Sequence, residues 1–218
     1  MHIKNNFLSV VTLGSFNPAI LTPPFLREQE VWTSEDQPPK GTSSPIVSDI
    51  KFGNISFFVE LERFQVMHHN VEQLNESPVV EAAHKYLSIL RYTPLFLQGI
   101  NFNINMIEYE DNKEIKTLLE DPISRFSSYL DNAKEYQLDL KTVIKEGKYD
   151  TQSASCKFYV KPGISTSINF KRVDTNLVLN YNYEVEGIDS DRTRLDIIPS
   201  SYQHIYEMFI QFIKRFKE

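Results

Sequence analysis

Residues 100–106 read Ile-Asn-Phe-Asn-Ile-Asn-Met, and this stretch decides the fold class. Apolar side chains alternate with amides without interruption, and a period of two is the pattern of a β-strand with one buried face. The polar side of the strand consists of Asn101, Asn103 and Asn105. The stretch therefore predicts a sheet with an apolar buried face and an amide-rich outer face.

Alternation of the same kind predicts further strands on both sides of this stretch. A hairpin is predicted from Ile46 to Phe52 and from Ile55 to Val66, with Gly53-Asn54 as its turn. The apolar phase slips near Arg63, which predicts a β-bulge there. The remaining predicted strands are an opening strand at residues 7–14 and a meander at residues 136–145, 155–160, 165–172 and 176–186.

Helical spacing of apolar residues predicts two long helices. The first covers residues 79–90 and follows Ser77-Pro78, a pair in which the serine caps the helix and the proline opens it. The second covers residues 202–216 and follows Pro199-Ser200, where Ser200 and Gln203 have the spacing of a capping box. Shorter helices are predicted at residues 113–119 and 123–130.

These elements predict an α+β protein with a curved, mainly antiparallel sheet and long helices packed on one face of it. The chain divides into a first α+β half at residues 1–93 and a second at residues 94–218, which together form one compact structural unit. A proline-rich loop at residues 22–45 belongs to the first half.

The order strand, helix, strands, helix occurs twice, and residues 13–17 are similar to residues 98–103. Both observations predict an internal duplication. The order resembles the topology of the TATA-binding-protein-like and helix-grip folds. This resemblance implies no function, because such folds host unrelated activities.

The composition favours a protein of a reducing compartment. The 218 residues carry a net charge of -6 and a single cysteine, Cys156. A lone thiol cannot form an internal disulfide, and secreted proteins rarely carry one. Ser9 and Thr12 interrupt the apolar residues near the start, so neither a secretory signal nor a membrane span is predicted. The acidic balance opposes attraction to phosphate backbones. We therefore expect a cytoplasmic protein without nucleic-acid or membrane partners.

Sequence motifs for catalysis, metal binding and nucleotide binding do not occur. No glycine pair has the spacing of a phosphate-binding loop, and the chain contains neither a Gly-x-Ser-x-Gly elbow nor a His-Glu-x-x-His helix. Cys156 in a predicted strand is typical of a small buried residue. Adjacent His68 and His69 point to opposite faces of an extended chain, which disfavours a shared metal. His84 and His204, on the two long helices, are interpreted as structural or solvated. The sequence predicts no catalytic residue, cofactor or metal.

The leading hypothesis is a non-enzymatic adaptor that binds a protein partner, or further copies of itself, within a complex. Trp32 is the only tryptophan and lies in the proline-rich loop, where an aromatic residue is a typical interface anchor. Phe58 is a second exposed aromatic on the polar side of its predicted strand. If Trp32 is such an anchor, its replacement by Ala weakens binding and leaves the melting temperature nearly unchanged.

An amide stripe on the polar sides of several strands is the second candidate binding surface. Asparagine disfavours strands, so its repeated use costs stability relative to Thr or Val. Its amides can hydrogen-bond a peptide, a sugar or another sheet. The alternative is a solvated face in an asparagine-rich chain. The stripe consists of Asn101, Asn103, Asn105, Asn180 and Asn182, with Asn169 as a further candidate.

The rival hypothesis is an enzyme or a small-molecule-binding protein with a pocket between the sheet and the C-terminal helix. Hydroxyl groups near an apolar pocket give such sites their orientation. The candidates are Tyr181, Tyr183, Tyr202 and Tyr206. An inhibitor or immunity-type partner in a conflict system fits the same composition, and the sequence alone leaves these alternatives open.

Overall fold

The structure is a computed structural model that describes residues 2–34, 38–71, 73–107, 136–145, 148–173 and 176–215. The predicted helices at residues 113–119 and 123–130 lie outside the described residues. The strands are β1 (His2–Gly14), β2 (Lys40–Ser43), β3 (Val47–Phe52), β4 (Ile55–Glu60), β5 (Arg63–His69), β6 (Leu95–Ile107), β7 (Tyr136–Lys145), β8 (Lys148–Lys161), β9 (Ile164–Val173) and β10 (Asn176–Glu186). The helices are α1 (Pro23–Glu28), α2 (Val79–Ile89) and α3 (Ile197–Arg215).

Within the described residues, ten strands form one sheet in the order β2-β3-β4-β5-β1-β6-β10-β9-β8-β7. The strand pairs β1-β5, β2-β3, β3-β4, β4-β5, β7-β8 and β8-β9 are all antiparallel. The prediction of an α+β fold with a mainly antiparallel sheet is confirmed. Neither the internal duplication nor a TATA-binding-protein-like topology is confirmed.

The chain forms two compact units, each built from separate segments. Unit 1 consists of Met1–Asn6, Phe102–Tyr183 and His204–Glu218, and unit 2 consists of Phe7–Asn101 and Glu184–Gln203. Strand β6 and helix α3 contribute residues to both units. The predicted halves at residues 1–93 and 94–218 stay a prediction.

The core of unit 2 lies between helix α2 and one face of strands β1, β4 and β5. Val10, Phe57 and Val66 are fully buried on that face. Phe64 stacks on Tyr86 of α2, with ring centroids 4.4 Å apart. Burying a large apolar side chain contributes about 1.5–3 kcal/mol, so these buried side chains hold the sheet and the helix together.

The core of unit 1 is formed by strands β6, β8, β9 and β10 together with the C-terminal part of α3. Phe102 stacks on Phe209 at 4.7 Å between centroids, and Tyr181 lies 5.7 Å from the same ring. Cys156 and Ile168 are paired across β8 and β9 and are both fully buried. The predicted apolar stripe of the C-terminal helix is therefore a packing surface.

Three predicted local features are wrong. The phase slip near Arg63 is a turn at residues 61–62 and not a bulge, because Glu60 pairs with Arg63 where β4 ends and β5 begins. A two-residue turn shifts the apolar phase as a bulge would. Helix α3 begins three residues before Ser200, whose hydroxyl donates to the carbonyls of Asp196 and Ile197. Pro78, not Ser77, is the N-cap of α2.

The proline-rich loop contains more order than its composition predicts. The Thr22 hydroxyl caps α1 by accepting the N–H of Phe25 at 3.3 Å. The loop ends in the edge strand β2, which pairs with β3. Gly41 has a φ of 132°, and a side chain there would collide with the carbonyl oxygen of Asp49. Glycine is therefore required for this edge strand to form.

Candidate binding surfaces

Trp32 packs against the core of unit 2. Its ring centroid lies 6.2 Å from that of Phe52 and 5.9 Å from that of Phe57. Its indole nitrogen is buried without a hydrogen-bond partner within the part of the chain that is described. The residue also lines a cleft of about 200 Å³ beside Pro78 and Glu81 of unit 2. These contacts change the expected result of Trp32→Ala, which now includes a loss of stability.

The outer face of unit 2 is the side of β1, β3, β4 and β5 that points away from Phe57 and Val66. Its side chains form rows that cross the four strands. The rows are Val47-Glu60-Arg63-Leu13, then Asp49-Phe58-Gln65-Val11, then Lys51-Ser56-Met67-Ser9.

This outer face combines apolar and charged side chains. Val47 is 38% exposed and Leu13 is 40% exposed. Phe58, in the middle row, is half-buried and not fully exposed as the sequence suggested. The charged groups are two acids and two bases, Asp49 and Glu60 against Lys51 and Arg63, and the Lys51 ammonium lies 3.5 Å from Asp49. An apolar centre with balanced charges is typical of a protein-binding surface.

The amide face of unit 1 lies on the half-buried polar sides of β6, β9 and β10. Asn169 Nδ2 donates to Asn180 Oδ1 at 3.4 Å, and the Ser155 hydroxyl donates to Asn169 Oδ1 at 2.5 Å. The structure thus brings Asn169 and Asn180 together. Asn103, Asn105 and Asn182 lie on the same unit, whereas Asn101 is the last residue of a unit 2 segment.

Arg192 holds the C-terminal end of helix α2. Its guanidinium donates to three carbonyl oxygens, those of Leu87 at 3.1 Å, Leu90 at 2.7 Å and Thr93 at 2.7 Å. The last carbonyls of a helix have no partner within the helix, so Arg192 supplies the missing donors. We call this arrangement the arginine clamp.

A polar cleft of about 320 Å³ opens beside the arginine clamp. His84 Nε2 lies 2.8 Å from Asp196 Oδ1 across this cleft. The lining polar side chains come from α2, from the turn after it and from the segment before α3, and they are His84, Ser88, Arg91, Arg192, Thr193 and Asp196. All of them belong to unit 2.

The serine, histidine and aspartate in this cleft do not form a nucleophile–base pair. The Ser88 hydroxyl donates to the backbone carbonyl of His84 at 2.7 Å. A nucleophilic serine would instead donate to the imidazole ring. The arrangement therefore gives no support to hydrolytic catalysis at Ser88.

His68 and His69 point to opposite faces, as the sequence predicted, and each is paired with a serine. His68 Nδ1 lies 3.0 Å from the Ser77 hydroxyl, and His69 Nε2 lies 3.0 Å from that of Ser56. Burial lowers the pKa of His68, with His69 as the second cause. Burial also lowers the pKa of His69, with Lys51 as a second cause, while Asp49 raises it. Both imidazoles are therefore neutral partners of hydroxyl groups at neutral pH.

Cys156 has the properties of a buried structural residue. Burial raises the pKa of its thiol to about 11, which suppresses the reactive thiolate. The described residues contain no group of three or more His, Cys, Asp or Glu side chains that could hold a metal ion. His204 is exposed on α3 in unit 1, whereas His84 is paired in unit 2.

Three of the four tyrosines of the rival hypothesis lie in one unit, and the rings of Tyr181 and Tyr206 both contact that of Phe102, at 6.2 Å and 6.4 Å between centroids. The ring of Tyr181 is 1% exposed and lies 6.2 Å from Phe212 and 5.7 Å from Phe209. The Tyr202 hydroxyl donates to the carbonyl of Leu74 in unit 2. Tyr183 and Tyr206 belong to unit 1.

Comparison with known proteins adds little to this description. The sequence matches no protein-family model and no curated protein sequence. A solved structure of the rolling circle replication initiator protein from Geobacillus stearothermophilus is similar over 92% of this chain and 80% of that chain, with 12% sequence identity and a TM-score of 0.34. A TM-score this low does not establish a shared fold, and neither fold nor function is inferred from it. No helix among the described residues has the length and apolarity needed to cross a membrane.

The arginine clamp and the His84–Asp196 pair gave no signal in the sequence. His84 and Asp196 are 112 residues apart, and Arg192 is 99 residues from Thr93. No short motif links such distant positions. The outer face of unit 2 could have been predicted from the sequence, because the alternation around Phe58 placed this residue on the polar side of its strand.

Proposed function

We propose that this chain is a non-enzymatic binding protein that holds another protein on the outer face of unit 2. The observation that carries the proposal is that each of the four strands contributes at least one apolar side chain to that face: Val47, Phe58, Met67, and Val11 with Leu13. Leu13 and Val47 lie at the two ends of the row next to that of Phe58, with Glu60 and Arg63 between them, and both are more than a third exposed. Exposed apolar side chains in a contiguous group are a mark of interaction sites.

The partner that fits this face is a protein surface with an apolar centre and charges of both signs around it. Asp49 and Lys51 border the centre on β3, and Glu60 and Arg63 form a cross-strand pair. Balanced charges attract a complementary pattern and reject a uniformly charged partner. This favours a protein over a nucleic acid, whose charge is uniformly negative.

The proposal extends to the compartment and to the amide face. A single cysteine, which cannot form an internal disulfide, suits a cytoplasmic protein. The amide face, with Asn103, Asn105, Asn180 and Asn182, is a second surface for hydrogen-bonding contacts within the same complex. The proposed function requires no cofactor.

The test compares capture by matched variants of the full-length chain. Wild-type protein, Phe58→Ser and Tyr92→Ser are tagged, captured gently from source lysate and weighed by native mass spectrometry. Tyr92 is 98% exposed and lies outside the outer face, so it controls for loss of an aromatic residue. Leu13→Lys is a second variant on the face. Circular dichroism verifies that each variant is folded.

We expect one protein-sized mass increment at fixed stoichiometry with the wild type and Tyr92→Ser. Phe58→Ser and Leu13→Lys should weaken that binding by about tenfold or more, as loss of an interface anchor does. An increment that survives both substitutions would exclude this face as the binding site. An increment equal to a second copy of the chain would show self-association instead, and a bare monomer throughout would overturn the proposal.

A further inference from the structure

The polar cleft beside the arginine clamp is unlike the rest of this acidic chain. The whole protein has a net charge of -6. The cleft is lined by two arginines, Arg91 and Arg192, against one carboxylate, that of Asp196. Counting the arginines and the carboxylate alone, the lining has a charge of +1, since two positive groups face one negative group. This local reversal of sign favours a negatively charged ligand.

Two of the three charged groups are fixed before any ligand arrives. Three backbone carbonyls hold the guanidinium of Arg192. Asp196 Oδ1 lies 2.8 Å from His84 Nε2, so the carboxylate oxygen nearest the ring is already engaged. A group held in place by its neighbours loses little entropy when a ligand binds. The cleft is therefore preorganised on one side.

Arg91 is the cleft residue that these contacts leave unexplained. Its guanidinium is exposed and makes no hydrogen bond or ion pair within the described ranges. Arg91 lies two residues after the end of helix α2, in the turn that follows Leu90, and it lines the same cleft as His84 and Ser88 of that helix. An arginine without a partner at the mouth of a polar cleft can donate two parallel hydrogen bonds to an oxyanion.

We propose that this cleft binds a small molecule through an oxyanion, the chemistry shared by phosphate and carboxylate groups. Arg91 contacts the oxyanion and Arg192 supplies fixed positive charge. The Ser88 and Thr193 hydroxyls line the cleft but already donate to the His84 carbonyl and to the Asp191 carboxylate. The volume of about 320 Å³ is sufficient for a small molecule. The site belongs to unit 2 and is distinct from its outer face.

The test is a titration of the full-length chain with inorganic phosphate and, separately, with succinate. Sodium chloride keeps the ionic strength constant, so non-specific screening is the same at every point. Binding is followed by backbone amide NMR shifts and by melting temperature. Arg91→Gln removes the contacting guanidinium, and Arg27→Gln makes the same charge change on exposed helix α1 as a matched control.

We expect saturable binding of at least one of the two anions, with shifts confined to residues 84–93 and 192–196. Arg91→Gln should weaken the Kd by about tenfold, the effect of losing a charge-assisted contact, while Arg27→Gln leaves it unchanged. Saturation by phosphate alone identifies a phosphate group, and saturation by succinate alone identifies a carboxylate. Absence of saturation with both, or an equal Kd for Arg91→Gln and wild type, would overturn the site.

Discussion

The outer face of unit 2 and the amide face of unit 1 are both polar sides of an antiparallel sheet, and they are built in opposite ways. On the amide face, Ser155, Asn169 and Asn180 are hydrogen-bonded to one another. On the outer face, Phe58 and its apolar neighbours lie half-buried among charges. Side chains that already pair with their neighbours offer fewer groups to a partner than apolar side chains in water do.

The comparison indicates which face has more to gain from a partner. When a partner covers Phe58, Leu13 and Val47, each Å² of apolar surface removed from water contributes about 25 cal/mol to the binding free energy. Covering the amides exchanges hydrogen bonds with water and with each other for hydrogen bonds with the partner, a change of about 1 kcal/mol each. The outer face of unit 2 is therefore the stronger candidate, and four predictions test how each region is supported.

The largest effect is expected where the outer face rests on the core beneath it. Trp32→Ala removes ring contacts with Phe52 and Phe57 and should lower the free energy of unfolding by about 3 kcal/mol, in the range for large aromatic truncations. Urea denaturation measures the loss, with Tyr92→Ala as a control that should change little because Tyr92 is 98% exposed. Equal stabilities for Trp32→Ala and wild type would return Trp32 to the role of a surface anchor.

The arginine clamp should have the next largest effect. Arg192→Ala leaves the carbonyls of Leu87, Leu90 and Thr93 to water and should cost about 2 kcal/mol of stability. Hydrogen exchange should show faster opening of the last turn of α2 in this variant. Arg27→Ala, on exposed α1, is the matched control. Unchanged exchange in α2 would mean that water replaces the guanidinium without loss, and the clamp would have no structural role.

Period-two alternation was enough to predict the sheet. Prediction from the sequence failed where tertiary contacts determine the local structure. The strands around Phe57 and Phe102 were predicted because one buried face imposes that period. The turn at Leu61-Glu62 was missed because it contains neither glycine nor asparagine, the usual signals of a tight turn.

The candidate sites were less predictable than the strands. Trp32 was assigned to an interface because composition reveals a loop and not what packs against it. The start of α3 depends on a preceding 3₁₀ segment, residues 192–196, that is anchored by Arg192 to a helix about a hundred residues earlier in the chain. Contacts of that sequence separation leave no local pattern, which is also why the cleft had no signal.

Acidification should weaken unit 2 through His68. Its folded-state pKa is below the ordinary value of about 6.5. The unfolded chain therefore takes up a proton first as pH falls, so stability is full above about pH 6.5 and declines below it until the folded-state pKa is reached. The midpoint of urea unfolding should be lower at pH 5.5 than at pH 7.5. His68→Gln should reduce this difference and His204→Gln should not, since His204 is exposed. An identical pH dependence in both variants would assign the effect to other groups.

The smallest effect is expected on the amide face, and it measures the comparison directly. Asn180→Thr removes a long hydrogen bond of 3.4 Å to Asn169 and introduces a residue that favours strands, so the free energy of unfolding should change by less than about 0.5 kcal/mol. Phe58→Thr should cost about 1 kcal/mol, because it replaces a half-buried apolar ring by a smaller polar side chain. Urea denaturation of both variants gives the ratio. If Asn180→Thr lowers the free energy of unfolding by more than Phe58→Thr does, the hydrogen-bonded amides stabilise unit 1 more than the apolar side chains of the outer face stabilise unit 2. The amide face would then be the more tightly built of the two surfaces.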